Sequence, residues 1–172
     1  MVWELFVHTL QIALPAYIAN ASPTFLIKLR KHPIDFGLKY NGQRLLGEGK
    51  TIEGFILASL MGYLAGLLEL QIIAGISYNF LVIPPIVFLF IGIGAMIGDM
   101  TGSFIKRRMK LKRGENAGLL DMIDFIIGAF ILAAFFIQYS PWCFVIALII
   151  TPIVHRVANI IGYRIGVKKE PW

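Results

Sequence analysis

Long apolar stretches separated by short polar segments set the organisation of this chain. Leu5 to Ile27 contains no Asp, Glu, Lys or Arg and has the roughly 20 residues that a membrane-spanning helix needs. Ile52 to Leu68 forms a second run that ends near Glu69, and Phe80 to Ile97 forms a third. Gly75, Ser77, Tyr78 and Asn79 supply the turn between these two. Phe125 to Val154 is again free of Asp, Glu, Lys and Arg, but Gln138-Tyr139-Ser140-Pro141 interrupts it. Each half is too short to span alone. Two helices fit only if one extends outward to include Asp121 and Asp124 and the other to include His155, Arg156 and Asn159. The pattern predicts an all-α, polytopic integral membrane protein of about five transmembrane helices, a single domain over residues 1–172.

Composition agrees. Of 172 residues 58% are hydrophobic and 15% charged, against about 25% charged in soluble domains. The lone Cys143 cannot form an internal disulfide, and one Cys with three scattered His cannot build a structural zinc site. Ala19-Asn20-Ala21 loosely resembles a signal-peptide cleavage site. No Lys or Arg precedes the apolar run, however, and Glu4 has the wrong sign, so no cleavage is expected.

The net charge of +6 is unevenly distributed. Lys28, Arg30, Lys31, Lys39, Arg44 and Lys50 fall between the first two spans; Lys106, Arg107, Arg108, Lys110, Lys112 and Arg113 fall between the third and fourth. Arg156, Arg164, Lys168 and Lys169 lie at or beyond the end of the fifth. All sixteen basic residues are therefore on one side, which by the positive-inside bias is cytoplasmic. The N-terminus is expected outside and the C-terminus in the cytoplasm. The partner implied is a lipid bilayer and not a nucleic acid.

Acidic residues collect beside the same basic loops. On a helix continued past the third apolar run, Asp99, Ser103 and Lys106 share a face; Asp121 and Asp124, three apart, share one at the start of the fourth. Carboxylates at a membrane boundary are costly unless paired, solvated or metal-bound. Pairing with neighbouring Lys and Arg is the simpler account. A second account also explains the hydroxyl and the nearby Gly98, Gly102, Gly114 and Gly118. Aspartates can hold Mg²⁺ that takes its remaining ligands from substrate phosphates, while Lys and Arg neutralise those phosphates. The glycines would let backbone approach a ligand, or equally let helices pack. The combination points to phosphoryl or nucleotidyl transfer at a membrane surface.

Two motifs fail. Gly47-Glu48-Gly49-Lys50-Thr51 ends like a phosphate-binding P-loop, but Arg44 stands where that loop needs Gly. The Asp-Gly…Ala-Arg…Gly…Asp…Asp pattern of CDP-alcohol phosphatidyltransferases is absent.

Ser103-Phe104-Ile105-Lys106-Arg107 followed by Asp121-Met122-Ile123-Asp124 resembles the signature of CTP-dependent phosphatidate cytidylyltransferases, which begins Ser-x-apolar-Lys-Arg and closes Asp-Arg-x-Asp. Gly114-Glu115-Asn116-Ala117-Gly118 departs from the bacterial centre of that signature, and Met122 replaces its Arg. The chain more closely resembles the short archaeal relatives, the CDP-archaeol synthase family. That likeness covers essentially the whole chain, including Asn20-Ala21-Ser22-Pro23, Gly49-Lys50-Thr51, Gly98-Asp99 through Asp124, the His155…Asn159…Tyr163 spacing and Pro171-Trp172.

The resemblance implies a Mg²⁺-dependent nucleotidyltransferase at the cell membrane, with its active site facing the cytoplasm. Its substrates would be CTP and an isoprenoid ether lipid phosphate, 2,3-bis-O-geranylgeranyl-sn-glycerol 1-phosphate, giving a CDP-lipid and pyrophosphate. The expected metal ligands are Asp99, Asp121 and Asp124, with Ser103 and Lys106 on phosphate and Lys50 and Arg107 as further phosphate contacts. Asn20 and Ser22 would meet cytosine, sugar or lipid head, or simply end the first helix at Pro23, and His155 and Asn159 would close the pocket. The competing readings are a diacyl phosphatidate cytidylyltransferase, a CTP-dependent polyprenol kinase and, from another class, an ion or proton transporter relaying through the three aspartates. Oligomeric state is left open.

Overall fold

A computed structural model describes residues 2–25, 31–112 and 115–166. Lys28, Arg30, Arg113, Gly114, Lys168, Lys169 and Pro171-Trp172, all invoked from sequence, lie outside the described residues. Five helices follow in order: α1 (Val2–Phe25), α2 (Ile52–Ile73), α3 (Pro85–Arg108), α4 (Leu120–Ala133) and α5 (Pro141–Arg164). Helices α1, α2, α3 and α5 are long and apolar enough to cross a membrane. At 14 residues, α4 is only about 21 Å long, against a hydrocarbon core of roughly 30 Å. It does extend outward to include Asp121 and Asp124, as α5 does to include His155, Arg156 and Asn159.

Small residues face inward and large ones outward. On α2 the buried positions Gly54, Ala58, Gly62 and Gly66 recur every four residues, while Leu60, Leu64, Leu68 and Ile72 are exposed at the same spacing. Ile149, Ile153, Val157 and Ile161 form a similar exposed stripe on α5. In hydrocarbon, apolar side chains gain little by turning inward, so helices associate through close backbone packing at small residues. Helix α3 is central, packed against α1, α2 and α4, and α5 packs on α1 and α4. Phe88, Ile91, Phe125, Ile126 and Phe130 fill the core with Ile12 and Ala16 of α1.

Three boundaries differ from the sequence reading. Helix α3 starts at Pro85 and not near Phe80, because Pro84 disfavours helical geometry before it is reached and Pro85 suits the first helical position. Helix α2 runs four residues beyond Glu69 to Ile73. Helix α1 continues through Pro23 to Phe25, so Ser22 does not end it; a proline forfeits one hydrogen bond and the surrounding packing of α1 outweighs that loss. The segment between α2 and α3 is tied to α1. Gln11 exchanges hydrogen bonds with the Leu81 backbone (2.8 and 3.2 Å), and the Asn79 amide donates to Glu4 at 2.7 Å.

The segment between α1 and α2 holds a small hairpin, β1 (Lys39–Tyr40) against β2 (Gln43–Arg44), turning on Asn41 and Gly42. Both turn residues have positive φ (51° and 78°), the geometry two-residue hairpins favour.

Candidate active site

The site is built where α3 leaves the apolar core. As the sequence spacing required, α3 continues through Asp99 and Ser103 to Lys106, Arg107 and Arg108. Its last turn is basic, which suits the negative end of the helix dipole. Two lysine–aspartate pairs organise it. Lys50, just before the Thr51 N-cap of α2, donates from Nζ to Asp99 Oδ2 at 2.5 Å, both side chains 22% exposed. Lys106 donates to both carboxylate oxygens of Asp121, at 2.8 and 3.0 Å, and the Ala117 N–H adds a third bond at 2.8 Å. Asp124 is buried (9% exposed), its Oδ1 accepting the Phe125 N–H at 2.6 Å. It lies within reach of the charges of Asp99, Lys50 and Asp121.

Close contact of α3 and α4 places Asp124. Gly94, Gly98 and Gly102 line one face of α3. A Cβ on Gly98 would lie 2.2 Å from the Asp124 carbonyl oxygen, and one on Gly94 would lie 2.5 Å from that of Gly128. These glycines are there for helix packing, which settles the choice the sequence left open for Gly98 and Gly102. Gly118 lies in the loop before α4, with φ +63°.

Lys50 itself is positioned by an element that sequence did not reveal. Asp35, 3% exposed, accepts five hydrogen bonds: two from Arg44 (2.5 and 3.3 Å) and one each from the N–H groups of Gly37, Leu46 and Gly47. Burial alone would raise its pKa, but Arg44 and the three N–H groups more than offset that and hold the carboxyl well below the usual carboxylate range. Ile34 N–H then bonds the Lys50 carbonyl at 2.8 Å, and Ile52 N–H bonds that of His32 at 2.9 Å. Arg108 clamps the hairpin from α3, donating to the Tyr40 and Arg44 carbonyls at 3.1 and 2.8 Å and lying over the rings of Tyr40 and Phe104. The only sequence hint was the turn-forming Pro33-Ile34-Asp35-Phe36-Gly37.

A cavity of about 190 Å³ opens over the Lys50–Asp99 pair, walled by Asn20, Thr24, Gly49 and Thr51. Asn20 and Thr24 also border a second cavity of about 400 Å³ between α1 and α5, with His155, Asn159, Tyr17 and several apolar side chains. The Asn159 amide and His155 Nδ1 lie 3.0 Å apart, and Tyr17 and Thr151 hydroxyls 2.9 Å apart. Asn20 thus joins the two groups of residues singled out from sequence. Ser22 is buried (6% exposed), bonds the Ala19 carbonyl at 3.0 Å and lines neither cavity. Ser103 is half-buried on α3 and likewise borders neither. Arg107 is directed elsewhere, to a cavity shared with Arg44 and Gly47. Thr24 and Tyr17 were missed because a lone hydroxyl in an apolar span carries no pattern.

Among the described residues, no three His, Cys, Asp or Glu side chains converge as a ready metal cage. The donor chemistry nonetheless suits Mg²⁺, which is commonly held by one or two carboxylates plus substrate phosphates.

Comparison with known proteins follows the same line. The profile of the CarS-like family, CDP-archaeol synthase, matches residues 2–172. The CDP-archaeol synthase of Thermofilum pendens is 43% identical over 166 residues, 92% of this chain and 78% of that protein. That of Methanosarcina mazei is 41% identical, over 92% of this chain and 99% of the relative. A solved structure described as an intramembrane enzyme for archaeal membrane lipids biosynthesis superposes with a TM-score of 0.77 at 36% identity, covering 90% of this chain and 94% of the other. The chain is a multi-pass membrane protein and belongs to the CDP-archaeol synthase family.

Proposed function

We propose that this protein transfers the cytidylyl group of CTP to 2,3-bis-O-geranylgeranyl-sn-glycerol 1-phosphate, forming CDP-activated unsaturated archaeol and releasing pyrophosphate. The observation that carries this reading is the Lys50–Asp99 contact, which opens onto a polar cavity that Asn20 joins to an apolar groove, with buried Asp124 within reach of Asp99 and of the Lys106–Asp121 pair. Family membership supplies the nucleotide and the lipid class.

A lipid phosphate oxygen attacks the α-phosphorus of CTP, and pyrophosphate leaves on the opposite side. The nucleophile is already anionic, so the protein's task is to position two anions and screen their repulsion. Among Asp99, Asp121 and Asp124, one or two carboxylates would hold each Mg²⁺ ion, whose chemistry is to neutralise and orient the triphosphate. Until phosphate arrives, Lys50 and Lys106 neutralise Asp99 and Asp121. Each ammonium can then turn to a phosphate oxygen, so neither Asp99 nor Asp121 is left bare before binding and the phosphates are met by cations after it. Asn20 stands where nucleotide and lipid head would meet. His155 and Asn159 border the groove, whose apolar walls (Ile18, Val154, Ile161, Ile165) suit isoprenoid chains. Ser103, on the Asp99–Lys106 stretch of α3, borders neither cavity and takes no part in this reading.

We place this end of the bundle in the cytoplasm and the N-terminus outside, on the one-sided distribution of basic residues. The test is purified protein in detergent with CTP, Mg²⁺ and either the geranylgeranyl ether phosphate or a diacyl phosphatidate, with Asp124→Asn alongside. A CDP-ether lipid and pyrophosphate, formed by the wild type and lost in the variant, support the reading. A product from the diacyl substrate alone overturns the lipid assignment, and no CDP-lipid from either overturns the reaction.

A further inference from the structure

The loop that carries Lys50 borders two cavities that share no lining residue. Gly49, Lys50 and Thr51 face the Asp99 cavity. Arg44, Gly47 and Glu48 face the other, of about 300 Å³, whose wall also includes Gln43, Leu111 and the basic residues Arg107, Lys110 and Lys112 at and just beyond the end of α3. Not all of its charge is available. Arg44 is held by Asp35 and lies 3.5 Å from Glu48. Among the described residues, no carboxylate lies within ion-pair distance of Arg107, Lys110 or Lys112. The Arg107 guanidinium donates to the Leu111 carbonyl through Nη1, yet its Nε is buried and has no acceptor.

Lys110 adds an independent observation. Helix α3 ends with the Lys110 N–H on the Arg107 carbonyl (3.2 Å) and the Leu111 N–H on that of Lys106 (3.0 Å). This is the paired cap whose left-handed residue is usually glycine. Here that residue is a lysine at φ +62°, a conformation that disfavours a side chain. A residue kept against local preference on a cavity wall directs attention to what the side chain does there.

We propose that this cavity is a second anion site, separate from the Asp99 cavity, that takes a polyvalent phosphate, with pyrophosphate as its ligand. The choice of pyrophosphate rests on the function proposed above, in which it is the leaving group. A diphosphate leaving a site built to hold a triphosphate needs a neighbouring place of matching charge, and Arg107, Lys110 and Lys112, which have no carboxylate partner among the described residues, provide it one loop away. An anionic lipid head has the same phosphate chemistry, so the source must be distinguished.

The experiment is a titration of detergent-purified protein with inorganic pyrophosphate. CTP is saturating, Mg²⁺ is in excess and the lipid substrate is absent, so the first cavity is filled and no turnover occurs. The wild type is expected to bind pyrophosphate under these conditions. Lys110→Gly should weaken that binding at least tenfold while its melting temperature is unchanged or higher, because glycine is at ease at this φ; Lys112→Ala should weaken it further. CTP affinity should stay within twofold. Pyrophosphate binding that CTP abolishes, or that survives both substitutions, overturns the proposal. So does a variant that keeps pyrophosphate but loses binding to anionic phospholipid vesicles, which would make the ligand a lipid head. Because no turnover is needed, failure to make CDP-lipid would count against the proposed function and leave this result standing.

Discussion

Gly102 of α3 lies so close to Asp124 of α4 that a Cβ at position 102 would meet the Asp124 carboxylate Oδ2 at 1.9 Å. The position of this buried carboxylate is therefore set by the absence of a side chain on the facing helix. Gly98, one turn back, does the same for the Asp124 backbone, where a Cβ would lie 2.2 Å from the carbonyl oxygen. Packing and chemistry share these two glycines.

Gly102→Ala should accordingly push the Asp124 side chain away, and Gly98→Ala should displace the backbone that carries it. Overpacking of this kind costs about 1–3 kcal/mol, which thermal unfolding in detergent would register. CDP-lipid formation should fall well beyond what the stability loss explains in Gly102→Ala, since the displaced group is the carboxylate. Gly75→Ala is the control: a Cβ there meets nothing within 4 Å, and both readouts should stay near wild type.

Asp35→Asn should undock the segment between α1 and α2 without melting the bundle. Removing the buried Asp35 charge weakens the acceptor shared by Arg44 and the N–H groups of Gly37, Leu46 and Gly47, a loss that a two-stranded hairpin does not sustain alone, whereas the helices rest on separate contacts. Lys50 would then lose its fixed place over Asp99, so CTP affinity and turnover should fall together while the melting temperature moves little. The pH dependence has a definite sign. The carboxyl of Asp35 is depressed below its unfolded value, so its contribution is fully present above an unfolded pKa of about 4 and is lost as pH falls through the folded value. Hydrogen-exchange protection of the Leu46 and Gly47 amides, both bonded to Asp35, should hold at neutral pH and decline only below pH of about 4. Protection already lost near neutrality would refute the lock.

What the sequence showed and what it hid divide along physical lines. Continuation of α3 past Ile97 was legible because Asp99, Ser103 and Lys106 keep helical spacing, and the outward extension of α4 and α5 followed from length alone. The Lys50–Asp99 contact joins residues 49 apart and depends on how a loop folds back, which no local pattern encodes. The same holds for Asp35, whose partners are mostly backbone groups. Gly98 and Gly102 were visible as small residues, but only the facing helix shows what they pack against. Of the two readings kept for Ser22, the helix end rested on the Ser-Pro step, but α1 continues through it.

Metal removal gives a further prediction. The carboxylates do not form a closed cage, so the ion is expected to bind weakly without nucleotide. Chelation should abolish CDP-lipid formation, added Mg²⁺ should restore it, and neither should shift the melting temperature of the nucleotide-free protein by more than about a degree, since a ligand stabilises only as far as it binds the folded state. Asp99→Asn should raise the Mg²⁺ concentration needed for half-maximal rate. A large stabilisation by Mg²⁺ alone would instead indicate a preformed structural site.

Exchange of the Lys106–Asp121 pair separates structure from chemistry. The ammonium bonds both carboxylate oxygens, and each side chain is partly exposed (15% and 26%), so the contact alone is worth at most about 1 kcal/mol. Lys106→Asp combined with Asp121→Lys keeps opposite charges facing each other and should melt within a few degrees of the wild type. If the pair only joined α3 to α4, activity would return with the fold. If Asp121 gives oxygen to a cation and Lys106 gives a proton-bearing nitrogen to phosphate, the exchange puts each on the wrong partner. Activity should then fall at least a hundredfold, as in either single variant. A folded double variant with near wild-type turnover would remove Asp121 from the metal ligands and leave Asp99 and Asp124 to hold the ion.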